Sequence, residues 1–306
     1  MKRARCLGAW LGLAIFVLAG CAEARPPLRV CLEAKSPPFS SAAAAVGPDH
    51  GIDHDVSARV AAALGRPLRV HWFEASRDDE LPMGHEANAL LTRSACDLIA
   101  GYPLTRDGLA PTPAAASPES RGASSASQPR ALLPSRPYLS LPLTVVSATN
   151  SLTIDTLEDL VGLRVAVERG SLASAIVSVH SGAALRERLL RVSFEGDAIF
   201  RSLENGAADV AFVERHRFEL YRARTPATRL HDTGYRHPLG VNTGFVGRDP
   251  LLISALDDAL RVLVSDGRVA EIVEAHGLGY SAPMLPAILP RLTPRLLARP
   301  GLWPSR

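Results

Sequence analysis

Short apolar runs rich in β-branched residues alternate with stretches of helical spacing along most of this chain, and no other feature limits its fold as much. The strand-like runs are Leu28–Leu32, Leu68–Phe73, Asp97–Ala100, Leu141–Ser147, Leu163–Val167, Leu190–Phe194, Asp209–Val213 and Gly240–Val246. Helical spacing covers Val56–Leu64, Ala87–Arg93, Thr156–Leu160, the residues after Gly170-Ser171, Asp197–Glu204, Asp249-Pro250 through Val264, and Arg268–Ala275. Gly65 and Pro67 stop the first helix, and Asp266-Gly267 separates the last two. Parallel strands joined by helical crossovers are the usual outcome of such alternation. The predicted class is therefore α/β, with two lobes, each a doubly wound, mainly parallel sheet with flanking helices. A cleft between lobes is a preferred place for a small-molecule site.

Two segments interrupt the alternation. Residues 109–134 carry PTPAAASPESRGASSASQP, which cannot bury enough apolar surface to offset its ordering entropy and reads as a surface insertion. Residues 281–306 repeat proline without periodicity, which predicts an extended or poorly ordered tail.

The first 24 residues read as an export signal. Met1–Arg5 is basic, and the apolar stretch Leu7–Gly20 is too short to cross a hydrocarbon core of about 30 Å at about 1.5 Å per residue. Two cleavage sites compete. Leu18-Ala19-Gly20-Cys21 resembles a lipobox, which would make Cys21 the lipidated residue and that lipid the only membrane contact. Ala22-Glu23-Ala24 instead fits release of a free protein. Cys6 leaves with the signal, so Cys31 and Cys96 remain in an oxidising compartment. A disulfide is expected if their backbones come close enough, and two unrelated buried thiols are the alternative.

With 47% hydrophobic and 21% charged residues, the chain is neither disordered nor a multi-span membrane protein. Its formal charge of +3 is accounted for by Lys2, Arg3 and Arg5 in the leader. No cationic field remains to hold nucleic acid, which is excluded as a partner. H-E-x-x-H, Walker A, G-x-S-x-G and C-x-x-C patterns are all missing. His50 and His54 stand four apart, a spacing that suits a metal on one helix face, but Pro48 and Gly51 favour a solvated polar turn. No metal site, cofactor or catalytic residue is therefore expected, and the protein is read as a monomer.

LRVCLEAKSPPFS at Leu28–Ser40, HGIDHDVSARVAAALG at His50–Gly65, ACDLIAGYPLT at Ala95–Thr105 and RPYLSLPLTVVS at Arg136–Ser147 resemble successive segments of one protein family. LEDLVGLRVAVERGS at Leu157–Ser171, LENGAADVAFVE at Leu203–Glu214 and the helical pair Ser254–Gly279 continue the likeness in order. The family is the extracellular solute-binding proteins of family 3, the type II periplasmic binding proteins that serve ABC importers. The resemblance implies one lobe over residues 27–140 plus 238–280, a second over 141–237, and closure on a ligand between them. Cys31, Cys96-Asp97, Gly101-x-Pro103, Asp107 and Arg136-Pro137-Tyr138 are similar to the J-type branch found beside quinoprotein (PQQ) methanol and alcohol dehydrogenases.

The same resemblance nominates ligand-binding residues. Phe39 matches an aromatic that packs on the ligand, with a core anchor as the alternative. Glu33 ends the first strand, where a solvated carboxylate is the alternative. Gly101, Tyr102 and Thr105 match a stretch that offers backbone and hydroxyl groups to a ligand carboxylate. The arginine that grips that carboxylate in amino-acid binders is replaced by Gly108, with Arg106 displaced nearby. Gly170-Ser171 opens a helix whose N–H groups suit an anion, or Ser171 is a plain N-cap. Glu214 matches the acid that receives a ligand ammonium, while Asp209 reads as structural. The sequence thus points to a small polar ligand, whether amino-acid-like, an amine or a carboxylate, and to an ABC permease as partner. An accessory role with a periplasmic quinoprotein dehydrogenase is the first alternative. A cyclohexadienyl dehydratase-like enzyme, with Glu214 or Glu33 as its acid, is the second.

Overall fold

The computed structural model describes residues 25–43, 50–75, 83–110, 131–180, 185–193, 196–293 and 296. The leader with Cys6 and Cys21, most of the Pro/Ala/Ser insertion and the last ten residues lie outside the described residues.

From the N-terminus the elements are β1 Leu28–Glu33, β2 Lys35–Ser36, β3 Ser40–Ser41, α1 Ile52–Ala63, β4 Leu68–Phe73 and α2 Met83–Thr92. Next come β5 Leu98–Pro103, β6 Leu133–Pro134, β7 Leu139–Ser147, a 3₁₀ turn at Leu157–Leu160, β8 Val165–Glu168 and α3 Leu172–Val179. The chain continues through β9 Leu189–Val192, α4 Ala198–Glu204, β10 Val210–Glu214, α5 Arg215–Arg224 and β11 His231–Asp232. It finishes with β12 Gly240–Gly247, α6 Pro250–Ser265 and α7 Arg268–Ala275. The local signals act as read: Asp249 caps α6 by accepting from the N–H groups of Leu251 and Leu252, with Pro250 in the first turn.

Strands β4, β1 and β5 run parallel, and so do β10, β8 and β9. Between the two sets, β12 lies antiparallel to β5 and β7 lies antiparallel to β10. β7 and β12 pair with each other through Leu139–Thr243 to Pro142–Gly240, joining the sets. The apolar interior divides at the same place. One core packs Leu32, Val56, Phe245, Leu256 and Leu260, and another packs Val145, Val165, Ile176 and Phe212. Each such buried side chain contributes about 1.5–3 kcal/mol.

Several expectations need correction. The polar turn expected around His50 and His54 gives way at Ile52 to α1, whose first turn holds Asp53, His54 and Asp55 with Gly51 at its N-cap. Gly51 permits it with a φ of 105°, because a Cβ there would lie 2.5 Å from the Phe39 carbonyl oxygen. His54 and His276 bond the two oxygens of Asp55, at 3.1 and 2.9 Å, and the described residues hold no cluster of three metal-ligating side chains. β5 runs beyond Gly101 to Pro103. Helix α5 and the short strand β11 were not anticipated.

The proline-rich tail has no helix or strand from Ser281 to Arg291 and bends at residues 285–288, and it is held. Asn242 Nδ2 donates to the carbonyls of Met284 and Ala287, and its Oδ1 accepts from Met284 N. Leu289 N donates to the Leu104 carbonyl at 2.8 Å, and Arg106 N donates to the Leu289 carbonyl at 2.9 Å. The Leu289 side chain is buried in the same core as Val165 and Phe212, and Arg291 pairs with Asp107 at 2.7 Å. Cys31 and Cys96 form a disulfide across β1 and the start of β5, with Cα atoms 5.6 Å apart.

Candidate ligand-binding cleft

A cavity of about 500 Å³ lies between the two parallel sets of strands, with the β7–β12 pair contributing Leu141, Val241 and Thr243. Glu33, Phe39, Gly101 and Tyr102 line it from one side, and Gly170, Ser171 and Glu214 line it from the other. The fold therefore brings seven of the nine nominated residues to one space. Thr105 and Arg106 are not among the lining residues. Thr105 Oγ1 accepts the Gly108 N–H at 3.0 Å, and the Tyr102 hydroxyl donates to the Gly108 carbonyl at 2.6 Å, so this turn is closed on itself.

On the β1 side the central acid is Asp53, which the sequence reading did not nominate. It is 4% exposed, and its Oδ1 accepts the Tyr138 hydroxyl at 2.6 Å. That same hydroxyl accepts the Gly101 N–H at 2.9 Å. Burial pushes the Asp53 carboxyl up to about 7, the tyrosine hydrogen bond opposes this, and nearby Glu33 adds to it. Gly101 must be glycine: its φ is 69°, and a Cβ would lie 2.2 Å from Asp53 Oδ2.

On the β10 side, Ser171 caps α3. Its Oγ accepts from Ser174 N at 3.1 Å and donates to the Glu168 carbonyl at 2.7 Å. Glu168 is 1% exposed and pairs with Arg217 at 2.6 Å. Burial nevertheless lifts Glu168 to about 7 against the pull of Arg217, and Glu214 adds to the rise. Glu214 is itself raised by burial, and its Oε2 is closed to solvent with no hydrogen-bond partner. Asp209 lies away from the cavity, bonded to the Arg164 backbone and guanidinium.

The two sides also touch each other directly. The Phe39 ring meets the His216 ring edge-on at 5.1 Å. Burial, then the charges of Arg217 and Arg215, depress His216 to about 3, so its ring is neutral. Arg215 donates to the Gly279 carbonyl, and Glu219 accepts from Gly279 N at 3.2 Å. His216, Arg217 and Leu220 were missed because RHRFELYRAR is strongly polar. The available signal was Phe218 and Tyr221 three apart, with Arg215 and Glu219 spaced as an i,i+4 ion pair.

No family model and no curated protein sequence matches this chain. Solved structures do resemble it. The L-cystine solute receptor of Neisseria gonorrhoeae superposes with a TM-score of 0.58 at 19% identity, covering 82% of this chain and 93% of the receptor. The second substrate-binding domain of a putative amino acid ABC transporter from Streptococcus pneumoniae gives 0.57 at 16%, covering 82% of this chain and all of that domain. A histidine kinase sensor domain with similarity to periplasmic binding proteins gives 0.54 at 18%, covering 84% and 98%. At these identities the likeness concerns architecture alone. The chain has the two-lobed α/β fold of the type II periplasmic binding proteins, and its structural neighbours include members of the amino-acid-binding kind.

Proposed function

We propose that the protein is an exported solute receptor that captures a small polar ligand between its lobes and delivers it to an ABC importer. The observation that carries this reading is the cavity, with a volume fit for a small metabolite and residues drawn from both sides. Contacts such as Phe39 with His216 support a closed arrangement around the ligand. The solute receptor and transporter domain among the structural neighbours support delivery to a permease. The lobes are taken as residues 27–140 plus 238–280 and residues 141–237. The leader is taken to direct the protein to the periplasm, with lipid attachment at Cys21 under lipobox processing. Seven nominated residues, from Glu33 to Glu214, serve as ligand contacts in this reading, which is not enzymatic.

A thermal-shift screen against amino acids, amines and small carboxylates tests it. A ligand at a hundred times its dissociation constant adds about 2.7 kcal/mol of stability. We expect a clear shift that Glu214→Ala abolishes. A folded protein that shifts with no compound in the screen contradicts the receptor reading.

A second reading, as accessory to a quinoprotein dehydrogenase, draws support from how the residues resembling that branch cluster. The Cys31–Cys96 disulfide adjoins Asp97, which is paired with Arg29 and Arg66, and Tyr138 bonds the Gly101 N–H. Capture of the dehydrogenase on immobilised protein is its test.

A further inference from the structure

We propose that the ligand of this cleft is an organic dication with two amino groups and no carboxylate. One ammonium faces Glu33 and Asp53, and the other faces Glu214 with Glu168 behind it. The inference rests on the cleft being a ligand site and names the class of molecule it holds.

Four carboxyl groups line the cavity: Glu33, Asp53, Glu86 and Glu214. Arg217 is the one lysine or arginine among the lining residues, and its guanidinium is committed to Glu168 at 2.6 Å and to the Gly196 carbonyl at 3.0 Å. Three of these acids form two pairs with the help of Glu168, which is buried behind Glu214 and is not itself a lining residue. Glu33 ends β1 and repels Asp53 at the start of α1. Glu168 ends β8 and repels Glu214 at the end of β10. On the second side, Oε2 of both Glu168 and Glu214 is buried without a hydrogen-bond partner. A buried acceptor of this kind favours a donor from the ligand. Phe39, Phe73, Leu141, Leu172, Leu220 and Val241 supply apolar lining suited to a methylene chain.

An ammonium leaves water at high cost unless an acid receives it, so two acid pairs select a cation with two ends. The same acids repel a ligand carboxylate. Thr105 and Tyr102 do not offset this, since Thr105 is not a lining residue and the Tyr102 hydroxyl donates to the Gly108 carbonyl. The N-terminus of α3 at Ser171 is the feature that favours an anion, so an amino acid bearing two amines is the decisive competitor.

The surroundings predict proton release on binding. Asp53, near Glu33 and Tyr138, and Glu168, near Arg217, Glu214 and Asp197, are both lifted to about 7 chiefly by burial. Glu214, near Arg217, is lifted for the same reason. A cation binds their ionised forms, so affinity rises with pH through this range.

The test is calorimetric titration of the purified full-length chain with putrescine, cadaverine, butylamine and lysine, below and above neutral pH. We expect both diamines to bind at least about tenfold tighter than butylamine and lysine, and tighter at the higher pH. Glu214→Gln and Glu33→Gln, each checked for an unchanged melting profile, should each weaken diamine binding about tenfold or more. Lysine binding as tightly as the diamines overturns the ligand class and leaves the receptor reading intact. Diamine binding that neither variant weakens overturns the assignment to these acids. If amines, amino acids and small carboxylates all fail to bind the folded protein, the receptor reading falls with it.

Discussion

Asp53 stands in the first turn of α1, where the helix dipole favours a carboxylate by about 0.3–1 kcal/mol. Burial works against ionisation far more strongly and sets its titration near 7. Between the ordinary carboxylate range and that value, the folded protein holds a proton that the unfolded chain has released. This contribution to stability is therefore present at low pH and is lost as pH rises to about 7. Asp53→Asn keeps an acceptor for Tyr138 and removes the titration. Denaturation across this range should show the wild type losing of order 4 kcal/mol relative to the variant as pH rises. A pH-independent difference would contradict the burial of an ionisable Asp53. At this scale Glu33, Phe39, Gly101, Tyr102, Gly170, Ser171 and Glu214 could be nominated from resemblance to a family pattern. Asp53 could not, because Pro48 and Gly51 read locally as a turn, whereas Gly51 is the glycine that lets α1 begin against the Phe39 backbone.

Among the elements, the helices with a clear apolar stripe or a strong cap were legible: Asp249-Pro250 opens α6 and Ser171 opens α3. Helix α5 was not, since its stability comes from Phe218 and Tyr221 packing on Phe200 rather than from its own polar sequence. The tail is a similar case. Its prolines exclude regular structure, yet backbone bonds with Leu104 and Arg106 and the side-chain amide of Asn242 fix it. Leu289 pairs with Thr105 in a β-bridge while its side chain enters the core that holds Val165 and Phe212, so the tail links β5 to that core. Leu289→Ala should destabilise the protein by about 2–5 kcal/mol in chemical denaturation, the range for a large-to-small change in a core. A change under about 0.5 kcal/mol would show that the tail does not contribute to that core.

Across the whole molecule, two structural devices tie distant segments together. The β7–β12 pair joins the two parallel sets, and the disulfide joins Cys31 to Cys96, 65 positions further along the chain, across a loop that contains α1, β4 and α2. Replacing both cysteines by serine, or reducing the protein, should lower its unfolding free energy by about 2–5 kcal/mol. Equal stability with and without reductant would mean that the bridge constrains nothing the fold does not already fix. The sequence by itself determined the class of the fold, because hydrophobic period, capping residues and turn residues act within a few positions of one another. Only the tertiary structure decided the cleft: Asp53, Glu168 and His216 acquire their burial and shifted titration, and Arg217 its partner Glu168, from elements far apart along the chain. Desolvation is a property of the assembled surroundings, and no local spacing encodes it.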